Sequence, residues 1–387
     1  MIGLRPKIRL LRLNDVRRRL KLPPVRAYES SFREALAHNA ETGAIPRLTR
    51  VEVADLRDEV RTLIPPAFNA LRNHPVIDDF RGTDINMVTY AGGRQAQLDL
   101  YRYRDVLFVS NGQCFTIWRG RAMDENSTGT FLALGQHRKW KTVHIERAAL
   151  CDDRYRPSNP CHFMVDRLPR VHFLKTLANV PERQCVMVGS TSAYAKFALG
   201  QVAPSLTVLE PETVYHFGEL LVLNSSVRPK GHPFYYLRPD AIDAIVPKVT
   251  AGLRGPGGKR RLYLSRFAAD RRRLLNEAAL VARLKPLGFE VLEMSELSPL
   301  AQLAAIREAA VVVAPHGAAI ANILGANPET HLVELFNPNK GTAVYGALAE
   351  VAGASYTPLF GTPAPDPQSQ DAWTIDPDAV VAAVNAR

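Results

Sequence analysis

VVVAPHGAAIANILGANPETHLVELF, residues 311–336, carries the reading of the fold. An apolar run, VVVAP, gives way to the small-residue segment GAAIANIL, and a second apolar run, HLVELF, follows. Both runs are short and apolar, the first rich in valine, which suits buried strands, and the segment between them suits a short helix. Two buried strands joined through a helix form a parallel pair.

The same alternation extends outward in both directions. Upstream, RLYLS (261–265) reads as a strand, followed by a helix over 271–286 with Leu274, Ala278, Val281 and Leu284 on one face. Gly288 stands where a left-handed C-terminal cap belongs. FEVLEM (289–294) is the next strand and PLAQLAAIREA (299–309) the next helix. Downstream, GTAVYGALAEVAG (341–353) supplies a helix and ASYTPLF (354–360) a last strand. Strands alternating with helices at this spacing predict an α/β domain with a doubly wound parallel sheet. Ligands of such sheets sit outside the carboxyl ends of the strands, so those ends are the place to look for chemistry.

Earlier in the chain, VLFVS (106–110) and TVHIE (142–146) alternate as strands do, and CHFMVDRLPRVHFL (161–174) followed by CVMVGS (185–190) begins a second parallel layer. The most linker-like stretch is LRGPGGKRR (253–261). The expected organisation is a basic lead-in over 1–75, one domain over 76–250, a second over 251–370, and a closing segment, 371–387, containing a helix.

Composition narrows the class. A chain of 387 residues with 46% hydrophobic and 22% charged residues suits two globular domains. No run of about 18 apolar residues occurs, so no transmembrane helix is expected, and the N-terminus lacks the apolar core of a secretory signal. The four cysteines form no CxxC pair, reading as reduced thiols of a cytoplasmic protein. The net charge of +11 is uneven: residues 1–26 hold nine Lys/Arg against one Asp, and residues 300–387 hold three against eight acidic residues. The basic segment makes a poor amphipathic helix. It reads as a solvated tail, or as one drawn to anionic lipid headgroups on the inner face of the membrane. Nucleic-acid binding lacks any accompanying motif and sits poorly with the acidic C-terminal third.

Three strand ends carry polar groups that need a reason. After RLYLS come Arg266, then Asp270 as a helix N-cap, and Arg271, Arg272 and Arg273 in the expected first helical turn. That is the positive end of the macrodipole, where cations are unfavourable. Either water screens these arginines or an anion binds among them, with Asn276 and Glu277 holding the arginine forks or ligand hydroxyls. After VVVAP, His316 stands where sheet becomes helix. Gly317, Ala318 and Ala319 allow close approach to backbone amides, with Asn322 one turn on. Glu334, inside HLVELF, needs partners when buried, either nucleotide ribose hydroxyls or a structural hydrogen bond to nearby backbone. Away from these, His162 and Asp166 stand four apart in CHFMVDRLPR. Pro169, which clashes with the carbonyl four residues back, predicts a bend just beyond them. The pair reads as a structural imidazole–carboxylate contact, as acid–base machinery, or as part of a metal site with His216 or His316.

Together these motifs resemble glycosyltransferase family 61, whose pattern runs YxSR, RRxxNE, GFEV, a glutamine-containing helix, PHGAxxAN and VELF. Here those elements are YLSR (263–266), RRLLNE (272–277), GFEV (288–291), Gln302, PHGAAIAN (315–322) and VELF (333–336). The family's N-Y-x-H-W-x-x-D-x-L-P-R segment matches through Asn159, His162, Asp166, Leu168, Pro169 and Arg170, with Pro160 and Phe163 departing from it. The resemblance implies a GT-B-like architecture of two facing Rossmann-like domains, the closing helix crossing back to the first. It also implies inverting transfer from a nucleotide-sugar donor to a glycan or glycolipid acceptor of the cell surface. On that reading Arg266, Arg272, Arg273, Asn276, Glu277, His316, Gly317, Ala318, Asn322 and Glu334 serve the donor nucleotide, Asp166 and His162 the chemistry, and Asn159 and Arg170 the acceptor side. No essential metal or cofactor is expected, since the one DxD triplet, Asp376–Asp378, looks like a helix start. The competing classes are a metal-dependent hydrolase built on His162 and Asp166 and a non-catalytic basic binding protein.

Overall fold

The alternation read over 261–360 folds as a five-stranded sheet, parallel throughout. Its strands, in spatial order, are Phe289–Leu292, Arg260–Leu264, Ala309–Pro315, His331–Phe336 and Ser355–Phe360. This computed structural model describes residues 57–64, 67–68, 94–95, 98–110, 115–119, 122–123, 140–152, 159–189, 192–223, 239–253, 258–267, 272–337, 341–364 and 372–386. The basic tail, Asp270 and Arg271 lie outside them.

Two apolar cores show why the strands are hydrophobic on both faces. Leu262, Leu264, Val312, Ala314 and Leu332 face one core, together with helices Pro299–Arg307 and Val344–Val351. Their alternates Tyr263, Val313, Val333 and Leu335 face the other, with helices Glu277–Leu284 and Pro377–Asn385. Helices on both faces are what bury a parallel sheet. Gly288 caps its helix in the left-handed conformation, φ 79°, as expected.

One expectation fails locally. The helix expected over 271–286 is α-helical only at Glu277–Leu284, with Asn276 as N-cap. Residues 272–275 instead run beside Trp373. The indole Nε1 donates to the Arg272 carbonyl (3.1 Å), Trp373 N donates to the Arg273 carbonyl (3.1 Å), and Leu275 N donates to the Trp373 carbonyl (2.8 Å). Arg272 and Arg273 are therefore outside the helix, and the macrodipole argument does not apply to them. Arg272 sits at φ 56°, a left-handed conformation rare for a long side chain.

The chain forms two units. The first takes the described residues within 57–58, 103–147 and 210–220. Its described core includes Val106, Phe108 and Phe217, with the two phenylalanine rings edge-to-face at 6.0 Å. The second takes 59–102, 148–209 and 221–387, and so holds the five-stranded sheet together with the segment carrying His162. Within it strand Cys185–Val188 lies parallel to 149–150 on one side and to Thr207–Leu209 on the other. Helices Leu168–Thr176 and Ala193–Val202 supply the crossovers, which makes the second parallel layer read from the sequence. The closing helix packs on Glu277–Leu284 and the adjoining strands. Arg283 pairs with Asp378 and Arg261 donates to the Val384 carbonyl (3.1 Å). Among the described residues no helix is long and apolar enough to cross a membrane.

Candidate active site at the carboxyl ends of the parallel strands

Strand Arg260–Leu264 ends in Ser265 and Arg266, and a buried carboxylate fixes that end. Glu277 accepts from Ser265 Oγ (3.0 Å) and from the Arg266 amide (2.9 Å). The helix start thus clamps the strand tip and sets the direction in which Arg266 leaves. Its guanidinium rests on the next strand end. A Cβ built on Gly317 would lie 2.0 Å from Arg266 Nη1. The glycine is required for space, because its φ of 179° is ordinary extended backbone.

Arg272 is the other cation here. Arg266 holds its proton less tightly than an ordinary arginine, first because it is buried and then because Arg272 is close. Two guanidiniums drawn together under partial burial favour an anion between or beside them. Arg273 is exposed one residue on.

At the next strand end His316 is buried and its Nδ1 meets Glu334 Oε1 at 2.5 Å. The Tyr356 hydroxyl donates to Glu334 Oε2 (2.8 Å), so both carboxylate oxygens are engaged. The parallel register explains this: Tyr356 pairs with Leu332 and Glu334 with Pro358, making Tyr356 and Glu334 diagonal neighbours on one face. Burial pushes the Glu334 carboxyl up, against the opposing pull of His316 and Tyr356. The partners of Glu334 are two side chains, His316 and Tyr356, where backbone was the structural partner expected. With Nδ1 committed to the carboxylate, a neutral His316 carries its lone pair on Nε2.

The His162 segment reaches the same strand ends. Asn159 caps the turn Pro160–His162, accepting from the amides of Cys161 (2.9 Å) and His162 (3.4 Å). That turn packs on the 3-10 helix Ala318–Gly325, which directly follows Gly317. Tyr345 bridges the two segments. Its ring lies 5.1 Å from that of His316, and its hydroxyl, pushed up by burial and then by Cys161, neighbours the Cys161 thiol.

The bend expected after Asp166 takes a specific form. Phe163–Arg167 is a π-helical turn, closed by the Leu168 amide donating to the Phe163 carbonyl five residues back. Pro169 falls in the first turn of the following helix, where a missing N–H costs nothing. The wider turn replaces a kink, and such turns recur at functional sites. Asp166 is its fourth residue, and the Asp166 side chain lies outside the described residues.

Several predicted site residues hold the scaffold. Asn276 exchanges two hydrogen bonds with the Ile375 backbone (2.6 and 3.1 Å). Asn322 donates to Gln302 Oε1 (3.0 Å) and the Ala319 carbonyl (2.9 Å), and buried Arg170 donates to the Leu223 carbonyl (2.9 Å). Sequence reasoning missed Tyr345, Tyr356 and a buried pair, Arg167 and Asp152 at 2.7 Å. His216, considered as a metal ligand with His162, belongs to the first unit, whereas His162 and His316 belong to the second. Among the described residues no group of three or more His, Cys, Asp or Glu side chains is arranged to hold a metal.

Gly317→Ala tests the arginine seat. The added methyl meets the flexible end of Arg266, so stability should change by less than about 1 kcal/mol. The displaced guanidinium should weaken anion binding at the arginine pair about tenfold or more. Thermal melting and titration calorimetry read the two separately; a variant that binds as the parent does would show that the seat is unrelated to the ligand.

Comparison with curated proteins finds no match. Against family models, residues 161–333 match Glycosyltransferase 61, a span running from the capped turn before His162 through the arginines to the strand that carries Glu334. Over these residues the chain is similar to glycosyltransferase family 61.

Proposed function

We propose that the protein is an inverting glycosyltransferase that moves a sugar from a nucleotide-sugar donor to a hydroxyl of a surface polysaccharide or glycolipid. The observation that carries this reading is the pair Arg266 and Arg272 at the carboxyl ends of a parallel sheet, one guanidinium seated on Gly317. A diphosphate is the ligand such a seat fits, and parallel sheets bind ligands at this edge.

In this reading Arg266, Arg272 and Arg273 hold the diphosphate, and the amides at Gly317 and Ala318 add donors. His316, held by Glu334 through Nδ1, presents its remaining nitrogen to the donor. Glu277, Asn276 and Asn322 shape the site from behind. Asp166 takes the acceptor hydroxyl proton as that oxygen attacks the anomeric carbon, and His162, one turn back, orients the carboxylate. Asn159 and Arg170 set the position of that turn on the acceptor side. Cations and amides neutralise the leaving diphosphate, so transfer needs no metal. The two parallel layers would act as the facing halves of a GT-B-like enzyme.

A thermal-shift screen of nucleoside diphosphates and nucleotide sugars tests the reading, because a ligand that binds the native state raises the melting temperature. One nucleotide series should shift it, and the matching nucleotide sugar should be turned over with chelator present. No shift from any nucleotide would remove the donor site.

The basic segment 1–26 is proposed to hold the enzyme at the cytoplasmic face of the membrane through anionic headgroups. Deleting it should leave turnover of a soluble acceptor analogue intact and reduce binding to anionic vesicles, most at low salt. Equal vesicle binding by the truncated and full chains would refute this.

A further inference from the structure

We infer that the first unit carries a divalent transition-metal site made by His144 and His216, apart from the residues assigned to sugar transfer. Asp105, His216 and His144 stand on three neighbouring strands, Leu98–Ser110, Thr213–Leu223 and Thr142–Leu150, and form one row across the sheet. The two imidazoles face each other through Nδ1, 3.2 Å apart, with ring centroids at 4.9 Å. Each outer nitrogen points to a carboxylate. His216 Nε2 is 2.6 Å from Asp105 Oδ1, and His144 Nε2 is 3.7 Å from Glu146 Oε2.

The Asp105 contact favours one tautomer of His216. A carboxylate beside Nε2 favours the tautomer with its hydrogen on Nε2, which leaves the lone pair on Nδ1. When both rings adopt that tautomer, two lone pairs converge at 3.2 Å, which is repulsive unless a cation lies between them. Two metal–nitrogen bonds of about 2.0–2.1 Å at a tetrahedral angle place their nitrogens about 3.3 Å apart, close to the spacing here. A carboxylate on the far nitrogen is the usual outer support of a metal-bound histidine, orienting the ring and raising its basicity. Asp105 is held at φ 51°, a conformation tolerated by aspartate and few other residues.

Imidazole donors select zinc, copper or nickel over magnesium or calcium. Both rings are partly exposed, with His144 at 57% and His216 at 35%, so a metal could enter and complete its shell with water or a group from another molecule.

The test uses tag-free, chelator-stripped full-length protein titrated with Zn²⁺ by calorimetry at pH 7.5, with Mg²⁺ as the control cation. One Zn²⁺ equivalent should bind, and His144→Ala or His216→Ala should each lower its affinity at least tenfold. Asp105→Ala should lower it by about tenfold, the near end of the range for outer-shell partners. Cu²⁺ in the same protein should show two nitrogen ligands by electron paramagnetic resonance, and the double variant His144→Ala/His216→Ala should lose that signal. Both rings are at the surface, so circular dichroism of the variants should match the parent. Coincident Zn²⁺ titrations of parent and double variant would overturn the site, as would a parent that binds no Zn²⁺ at pH 7.5.

Discussion

Asp166→Asn should lower transferase turnover by about 10²–10⁴-fold, the usual contribution of a general base, while nucleoside-diphosphate affinity stays unchanged. The substitution keeps the shape of the side chain and removes its basicity. Asp166 lies in the π-helical turn Phe163–Arg167, next to the capped turn that packs on the 3-10 helix after Gly317. Its backbone is therefore tied to the edge of the sheet where the arginines gather. His162→Ala is the companion measurement. If Asp166→Asn kept turnover and His162→Ala lost it, the base would be His162. Full activity in both would make the pair structural and remove this turn from the mechanism.

The largest expected stability effect comes from Arg167→Ala. Arg167 and Asp152 are about 2% exposed or less and pair at 2.7 Å, and the second oxygen of Asp152 accepts from the Val188 amide. The pair joins the loop after Thr142–Leu150, the end of strand Cys185–Val188 and the turn that carries Asp166. Removing the guanidinium leaves a buried carboxylate without its counter-charge, which costs about 3–5 kcal/mol. Urea unfolding should show that loss as a lower midpoint at an unchanged slope. A loss below about 1 kcal/mol would mean that water reaches and solvates the pair.

The sheet was legible because its strands and helices differ in apolar period and are punctuated by residues such as Gly288. What escaped depends on partners distant in sequence. Asp270 and the arginines after it look like a cap and a first turn, yet Trp373, about a hundred residues later, pairs with 273–275 and pushes the helix start to Glu277. No local preference announces that pairing. Pro169 signalled a disturbance in the helix, and the π-turn that absorbs it has no sequence signature. Glu334 was seen to need partners, but the choice of His316 and Tyr356 is set by strand register, which only the assembled sheet defines. Asn276, Asn322 and Arg170 were chosen for chemistry, and the structure engages each in backbone or side-chain ties.

The most direct measurement of the account is the affinity of the native protein and of Arg272→Ala and Arg266→Ala for the nucleoside diphosphate that raises its melting temperature. A charge-assisted hydrogen bond to a guanidinium is worth about 1.5–3 kcal/mol, so each variant should bind roughly tenfold to a hundredfold more weakly, with the melting temperature of the free protein little changed. Nucleoside-diphosphate affinity equal to that of the native protein in both variants would contradict the donor site at the carboxyl ends of the parallel strands.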